Sequence, residues 1–207
     1  MKVIVVGAAG KTGELVVERA VDAGHDVTAF VHHAETYKAP PGVRVLTGDA
    51  GDLTAVSQAL AGQEAVVDAI GGKTPFLSTD LERKTARTIL EAMQQNKVGR
   101  LIAISMLGVG DSVEQADFFY EHLLLPTFLR GARQDKEAME TAIKQSSIVF
   151  VIVRPSILKD DPATGSVQVL EGDQKAHHIT RADLAQFLVD QLKNDTYLGQ
   201  TVTVTNE

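Results

Sequence analysis

The stretch Lys2-Val3-Ile4-Val5-Val6-Gly7-Ala8-Ala9-Gly10-Lys11-Thr12-Gly13 decides how the rest of the chain is read. Its first half is a short β-branched run without polar alternation, which predicts a strand buried on both faces. A glycine-rich turn follows and opens at once into a helical apolar pattern over Lys11–Ala23. Glycines let the backbone turn tightly and come close to a pyrophosphate, whose charge is attracted by the exposed amides of the new helix. Gly13 also allows that helix to pack near the strand. The spacing is GxxGxxG, and a lone turn of this kind is also what any tight connection uses. Its place at the head of a strand-and-helix series favours a phosphate cradle. It is not the P-loop of nucleoside triphosphatases, because Lys11-Thr12 come directly after Gly10.

Outward from this unit the same alternation repeats. Strand-like runs occur at Lys2–Val6, Asp26–Val31, Val43–Thr47, Ala65–Ala69, Arg100–Ser105 and Ile148–Val153. Helical spacing fills Lys11–Ala23, Asp52–Leu60, Thr79–Gln95 and Gln134–Gln145 between them. The order predicts an α/β fold, a doubly wound parallel sheet with helices on both faces, as one domain over residues 1–207. Gly24, Gly62 and Gly99 stand where left-handed helix ends belong. Two stretches depart from the alternation. Residues 108–130 gather Phe118, Phe119, Tyr120 and Phe128 beside Leu123-Leu124-Leu125, and in 162–180 the runs Ser166–Leu170 and Lys175–Thr180 flank Glu171-Gly172-Asp173-Gln174 like a hairpin. Both lie after the fifth strand, so they are the expected substrate-side insertions.

Composition narrows the chemistry. Without cysteine the chain has no thiol site, zinc ribbon or disulfide framework. A net charge of −7 with scattered cations offers no basic patch for nucleic acid. No apolar run approaches the ~18 residues of a membrane span. Because Met1-Lys2-Val3-Ile4 lead straight into a strand, no signal peptide is expected, and the reading is a cytoplasmic protein, monomer or homodimer.

Several loops converge on one sheet edge, as the crevice rule for open α/β sheets requires. After the second strand comes Val31-His32-His33-Ala34-Glu35, with Lys38 beyond. A carboxylate directly after Val31 would favour the ribose hydroxyls of NAD; its absence leans toward the 2′-phosphate of NADP, with NAD as the alternative. Asp49, in Gly48-Asp49-Ala50, can accept from an adenine amino group or cap a helix, a role for which Asp52 competes. Ile70-Gly71-Gly72-Lys73 supply small residues after the fourth strand.

Taken together, Val3–Gly13, Gly48-Asp49, Ile70-Gly71, Ile104-Ser105 and Val153-Arg154-Pro155 resemble the atypical short-chain dehydrogenase/reductase superfamily. Within it the chain is most similar to the biliverdin reductase B and NADPH-dependent flavin reductase group and its NmrA-like relatives. The resemblance covers nearly the whole chain, including Asp161–Gly165 and Asp195–Gly199. It implies a Rossmann-type fold in which Gly7, Ala9, Gly10, Lys11, Thr12 and Gly13 hold a pyrophosphate. It further implies that His32 and His33 face the 2′-phosphate, His32 standing where the flavin reductases have an arginine. Asp49 and Ala50 match the adenine contacts, and Ile70, Gly71, Gly72 and Lys73 the loop over ribose and phosphates. Ser105 falls beside the nicotinamide, with Pro155, Ser156 and Ile157 closing over that ring; Ile157 replaces the family's histidine.

The superfamily's carbonyl reductases use a Tyr-x-x-x-Lys pair, in which the lysine lowers the tyrosine pKa. Lys136 lies where such a lysine is expected, but Ala132 stands four residues before it and Leu124 four after Tyr120. Hydride transfer to a flavin, quinone or similar flat acceptor asks less of the protein, since protonation can come from solvent. Ser105 would orient the carboxamide or donate to the acceptor, and Phe118, Phe119 and Tyr120 would form a stacking wall. The alternative is a non-catalytic NmrA-like dinucleotide sensor acting through a protein partner, which the missing tyrosine and the aromatic patch in Gly108–Arg130 as a partner surface would suit. Neither His32-His33 nor His177-His178 is read as a metal site, because neighbours on a strand point to opposite faces. Thr180 with Asp183 reads as a helix cap, and Glu114, Asp117 and Glu121 as a solvated acidic stripe.

Overall fold

A computed structural model describes residues 1–72 and 75–206. Its elements in chain order are β1 (Lys2–Val6), α1 (Lys11–Asp22), β2 (Asp26–Val31), β3 (Arg44–Thr47), α2 (Leu53–Leu60), β4 (Ala65–Asp68) and α3 (Leu81–Asn96). There follow β5 (Arg100–Ile104), α4 (Arg130–Lys144), β6 (Val149–Pro155), β7 (Ile157–Lys159), β8 (Gln168–Leu170), β9 (His178–Thr180), α5 (Arg181–Asp190) and β10 (Gln200–Thr205). The main sheet runs β3-β2-β1-β4-β5-β6-β10-β8. Every neighbouring pair is parallel except β10 with β8. This is the doubly wound Rossmann arrangement, whose strand order reverses between β1 and β4 and leaves a crevice at their carboxyl ends.

Both faces are covered, which is why the strands carry no polar alternation. Val3 and Val5 pack with Val16, Val17 and Ala20 of α1 and Leu184 and Leu188 of α5. Ile4 and Val6 point the other way, toward Val56 and Leu60 of α2, Ile89 and Met93 of α3, and Met139 and Ile143 of α4. Burial is complete for most of these side chains, and each Val, Leu, Ile or Met among them stabilises the fold by about 1.5–3 kcal/mol relative to exposure.

Helix ends follow local chemistry. Gly24 takes φ +75° after α1, its amide donating to the Val21 carbonyl, and Gly62 takes φ +77° before β4. Gly99 does not act as expected: Lys97 holds the left-handed position after α3 at φ 58°. Helix α3 begins at Leu81 rather than Thr79 because Asp135, reaching across from α4, accepts from the amides of Thr79 (3.0 Å) and Asp80 (3.3 Å) and from the Ser78 hydroxyl.

The expected hairpin is not one. A turn does form at Gly172 (φ +56°), but its arms diverge. β8 pairs antiparallel with β10, and β9 pairs parallel with β7 in a separate small sheet. The missed partner is β10, whose Thr-Val-Thr-Val-Thr pattern suits a strand and pairs β8 through Thr203, Val204 and Thr205. Thr180 caps α5 through Asp183 N–H (3.0 Å). Asp183 does not return the bond to the Thr180 amide, which donates to Asn206 (2.8 Å); its carboxylate instead gathers Thr164, Gly165, the Thr180 hydroxyl and Asn206. Those bonds close the 162–180 segment onto α5. No described helix is long and apolar enough to cross a membrane.

Candidate functional site

The crevice is built first by glycine. Gly7 leaves β1 at φ +83°, and a Cβ there would stand 2.9 Å from the Ala69 carbonyl carbon at the end of β4. At Gly13 a Cβ would lie 2.2 Å from the Gly7 carbonyl oxygen, so only a bare Cα lets α1 start this close to the turn. Gly10 caps α1 with extended backbone and no side-chain bond. The first amides of the helix therefore face the crevice uncapped, a geometry suited to an anion. Ala9, Gly10 and Lys11 are exposed on that rim and Thr12 is half-buried. The residues present fit a dinucleotide pyrophosphate.

Around the cradle stand the other predicted contacts. His32 and His33 are exposed just beyond β2, and their rings meet edge to face at 4.4 Å. Strand alternation thus does not separate them, because the strand has already ended at Val31. Asp49 accepts from Gly51 N–H (2.7 Å) and leaves the α2 cap to Asp52, which accepts from Thr54 N–H (2.9 Å). Ala50 is half-buried beside it. Ile70, Gly71 and Gly72 follow β4 on the same edge, while Lys73 lies outside the described residues. Lys11 Nζ lies 2.6 Å from Asp160, whose other oxygen pairs with Arg181. This exposed bridge ties the end of β7 to the cradle. Exposed pairs contribute little to stability. Lys11→Ala is therefore expected to leave the Tm unchanged while weakening dinucleotide binding about two- to fivefold, less so at high salt, as read by calorimetric titration.

Beneath the crevice lies a buried ionic layer. Lys136 Nζ donates to the carbonyls of Ile70 (2.9 Å) and Ile104 (2.8 Å), clamping the ends of β4 and β5 together. Burial pulls its pKa below the ordinary lysine value, against the nearby carboxylates of Asp68, Glu82, Glu140 and Asp135. Burial likewise raises Asp68, which accepts from Ile70 N–H (3.1 Å). Glu82 accepts from Gly72 N–H (2.8 Å), so α3 holds the crevice loop. Ser105 is buried, and its hydroxyl donates to Glu140 (2.6 Å). Glu140 also receives Arg154 on both oxygens (2.8 Å each) and Lys144 (2.9 Å). Arg154 in turn pairs with Asp111.

Pro155 accepts from Leu107 N–H at 3.1 Å. The Ser156 hydroxyl turns inward to Thr205 (3.2 Å), and Ile157 is exposed. The structure brings segments 108–130 and 162–180 together: Leu107, Ala116, Tyr120 and Leu125 pack with Leu170 and Ala176. It also divides the aromatic trio. Phe118 and Phe119 are 77% and 59% exposed, but Tyr120 is 9% exposed within that cluster. Its hydroxyl donates to the Leu107 carbonyl, and burial pushes its pKa up to about 12. A ring packed among aliphatic side chains cannot also face a ligand beside Phe118.

The residues that sequence reasoning passed over are Asp68, Glu82, Asp135, Glu140, Arg154 and Asp111. Signals existed for two of them. Arg154 interrupts the apolar run Val149–Val153, and Glu140 falls one turn after Lys136 on the face that carries Ile143.

The family model described as NAD(P)H-binding matches residues 7–195. The chain belongs to this NAD(P)H-binding family, and its fold is the Rossmann fold. The UPF0659 protein YMR090W of Saccharomyces cerevisiae is 26% identical over 225 residues, covering 100% of this chain and 93% of the relative. Among solved structures, the anaerobilin reductase ChuY of Escherichia coli O157:H7 superposes with a TM-score of 0.83 at 24% identity, over 100% of this chain and 97% of that one. A short-chain dehydrogenase/reductase of Veillonella parvula in complex with NADP gives a TM-score of 0.83 at 16% identity, over 99% and 94%.

Proposed function

We propose that this chain is an NAD(P)H-dependent oxidoreductase, NADPH preferred, acting on a flat conjugated acceptor such as a flavin or quinone. Bound in the crevice, the reduced dinucleotide supplies a hydride. The chain's own residues hold and orient it: the amides after Gly10 take the pyrophosphate, His32 and His33 lie by the 2′-phosphate, and Asp49 and Ala50 by the adenine. Lys136 fixes the spacing of β4 and β5 beneath Ile70 and Gly71, and Ser105 stands beside the pyridine ring. Phe118 and Phe119, exposed on the 108–130 segment, offer the acceptor a π-stacking surface.

One observation carries the choice of acceptor. The lysine is present without a phenol, since Ala132 stands four residues before Lys136 and the Tyr120 hydroxyl is spent on a buried carbonyl. An isolated ketone needs a positioned proton donor, whereas a conjugated ring spreads the arriving charge and takes its proton from water.

The sensor reading is favoured by the missing tyrosine and by the exposed Phe76, Leu77, Phe118, Phe119, Leu123 and Phe128. Titration of NADH and NADPH with and without flavin and quinone acceptors separates the two. Oxidation of NADPH that accelerates with one acceptor class is expected. Tight binding with no turnover on any of them supports the sensor, and NADH preferred by more than about tenfold overturns the NADP assignment.

A further inference from the structure

We propose that Asp160 competes with the phosphates of the dinucleotide for Lys11 and Arg181, so that this carboxylate restrains cofactor binding and Arg181 is a second cation for the pyrophosphate. The inference rests on the dinucleotide reading above and deepens it.

The three residues meet because of strand register. β7 and β9 run parallel with Lys159 opposite Thr180, so the residues that follow them, Asp160 and Arg181, emerge side by side. Arg181 opens α5 as Lys11 opens α1, and the two helices pack together through Val16, Val17, Leu184 and Leu188. Lys11 Nζ donates to Asp160 Oδ2 at 2.6 Å, and Arg181 Nη1 donates to Oδ1. The guanidinium therefore stands one carboxylate's width from the ammonium group on the cradle's rim.

Both cations occupy the first position of a helix, where the dipole disfavours positive charge unless an anion is at hand. Among the described residues, Asp160 is the only carboxylate within ion-pair distance of either. The bond from Lys11, with Arg181 beside it, holds the Asp160 carboxyl below the usual range, so it is charged at neutral pH. Two cations thus share one negative charge. A pyrophosphate, with a charge on each phosphate, matches them better than a single carboxylate does.

The bridge is also easy to open. The Lys11 and Asp160 side chains are 71% and 57% exposed, so water and salt screen them. The other end of the same segment is fastened independently, by the amides of Thr164 (2.9 Å) and Gly165 (3.0 Å) donating to Asp183. Asp160 can leave the rim while the segment stays anchored to α5.

Calorimetric titration with NADPH at low salt reads the competition. Asp160→Asn is expected to bind about two- to fivefold more tightly than the wild type, the size of an exposed ion pair, and to lose affinity more steeply as salt rises. Arg181→Gln should bind about two- to fivefold more weakly, because a cation is lost and the remaining carboxylate repels the phosphates. Circular dichroism melts should show both variants folded with the wild-type Tm, since the pairs are exposed. D160N binding as the wild type does, or more weakly, overturns the competition. R181Q binding as tightly as the wild type overturns the role of the arginine. Failure of NADPH to bind all three proteins overturns the cofactor reading, and this inference with it.

Discussion

Arg154→Met is expected to lower the Tm by about 6–20 °C at neutral pH. Arg154 and Glu140 are each 2% exposed and meet through two parallel hydrogen bonds. Removing the guanidinium leaves a buried carboxylate with only Lys144 and Ser105, and breaking one partner of such a pair costs about 3–5 kcal/mol. At about 2–4 °C per kcal/mol for a chain of this size, the stated range follows. The sign of the pH dependence follows from the direction of the Glu140 shift. Its pKa is lowered in the fold. The pair's contribution is therefore fully present above the unfolded carboxylate value of about 4.3 and is lost as pH falls through the folded value. In R154M the carboxyl has lost that protection and gains by taking up a proton. Melts of the two proteins should therefore differ most near neutrality and converge as the solution becomes acidic. A constant difference from neutral to acid pH would show that packing, not the charge pair, is what the arginine supplies.

Gly13→Ala is the second large effect. The added methyl would meet the Gly7 carbonyl oxygen at 2.2 Å and the Ala8 Cα at 2.9 Å, both backbone atoms. Relief requires α1 to move off the turn, yet Val16, Val17 and Ala20 of that helix are fully buried against the sheet and α5. Overpacking of this kind costs about 3 kcal/mol, or about 6–12 °C in Tm. The binding loss should be of similar size. Displacing the helix start by about 1 Å withdraws the amides that would hold a pyrophosphate, and misplacement on that scale costs about a hundredfold. Gly10→Ala is the control. Its Cβ would stand 3.4 Å from the same oxygen, an ordinary contact at an ordinary φ of −81°. G10A should therefore keep the wild-type Tm, and a G13A protein that binds NADPH as tightly as the wild type would mean that the cradle is not the phosphate site.

Much of this was legible along the chain. β1 and β2 stand where the β-branched runs placed them, and α1 begins at Lys11 because the glycine turn permits no other start. Strands buried on both faces write their burial into consecutive residues, so local sequence is enough to find them. The end of the chain was less legible. β10 alternates polar and apolar residues, and β8 and β9 are too short to declare their partners. Their pairings join residues far apart in sequence, and only the assembled sheet edge decides which ladder forms.

The site divides in the same way. Sequence by itself determined the parallel α/β alternation, the glycine cradle, the presence of Lys136 and the absence of a tyrosine four residues before it, since each is a statement about neighbours in the chain. Only the tertiary structure decided that Tyr120 points into the core, that Ser105 gives its proton to Glu140, and that Arg154 joins Asp111 to that pair. Those contacts join residues 13 to 43 apart in the chain. A buried charge is tolerable only beside its counter-charge, and which residues become neighbours there is settled by packing rather than by spacing.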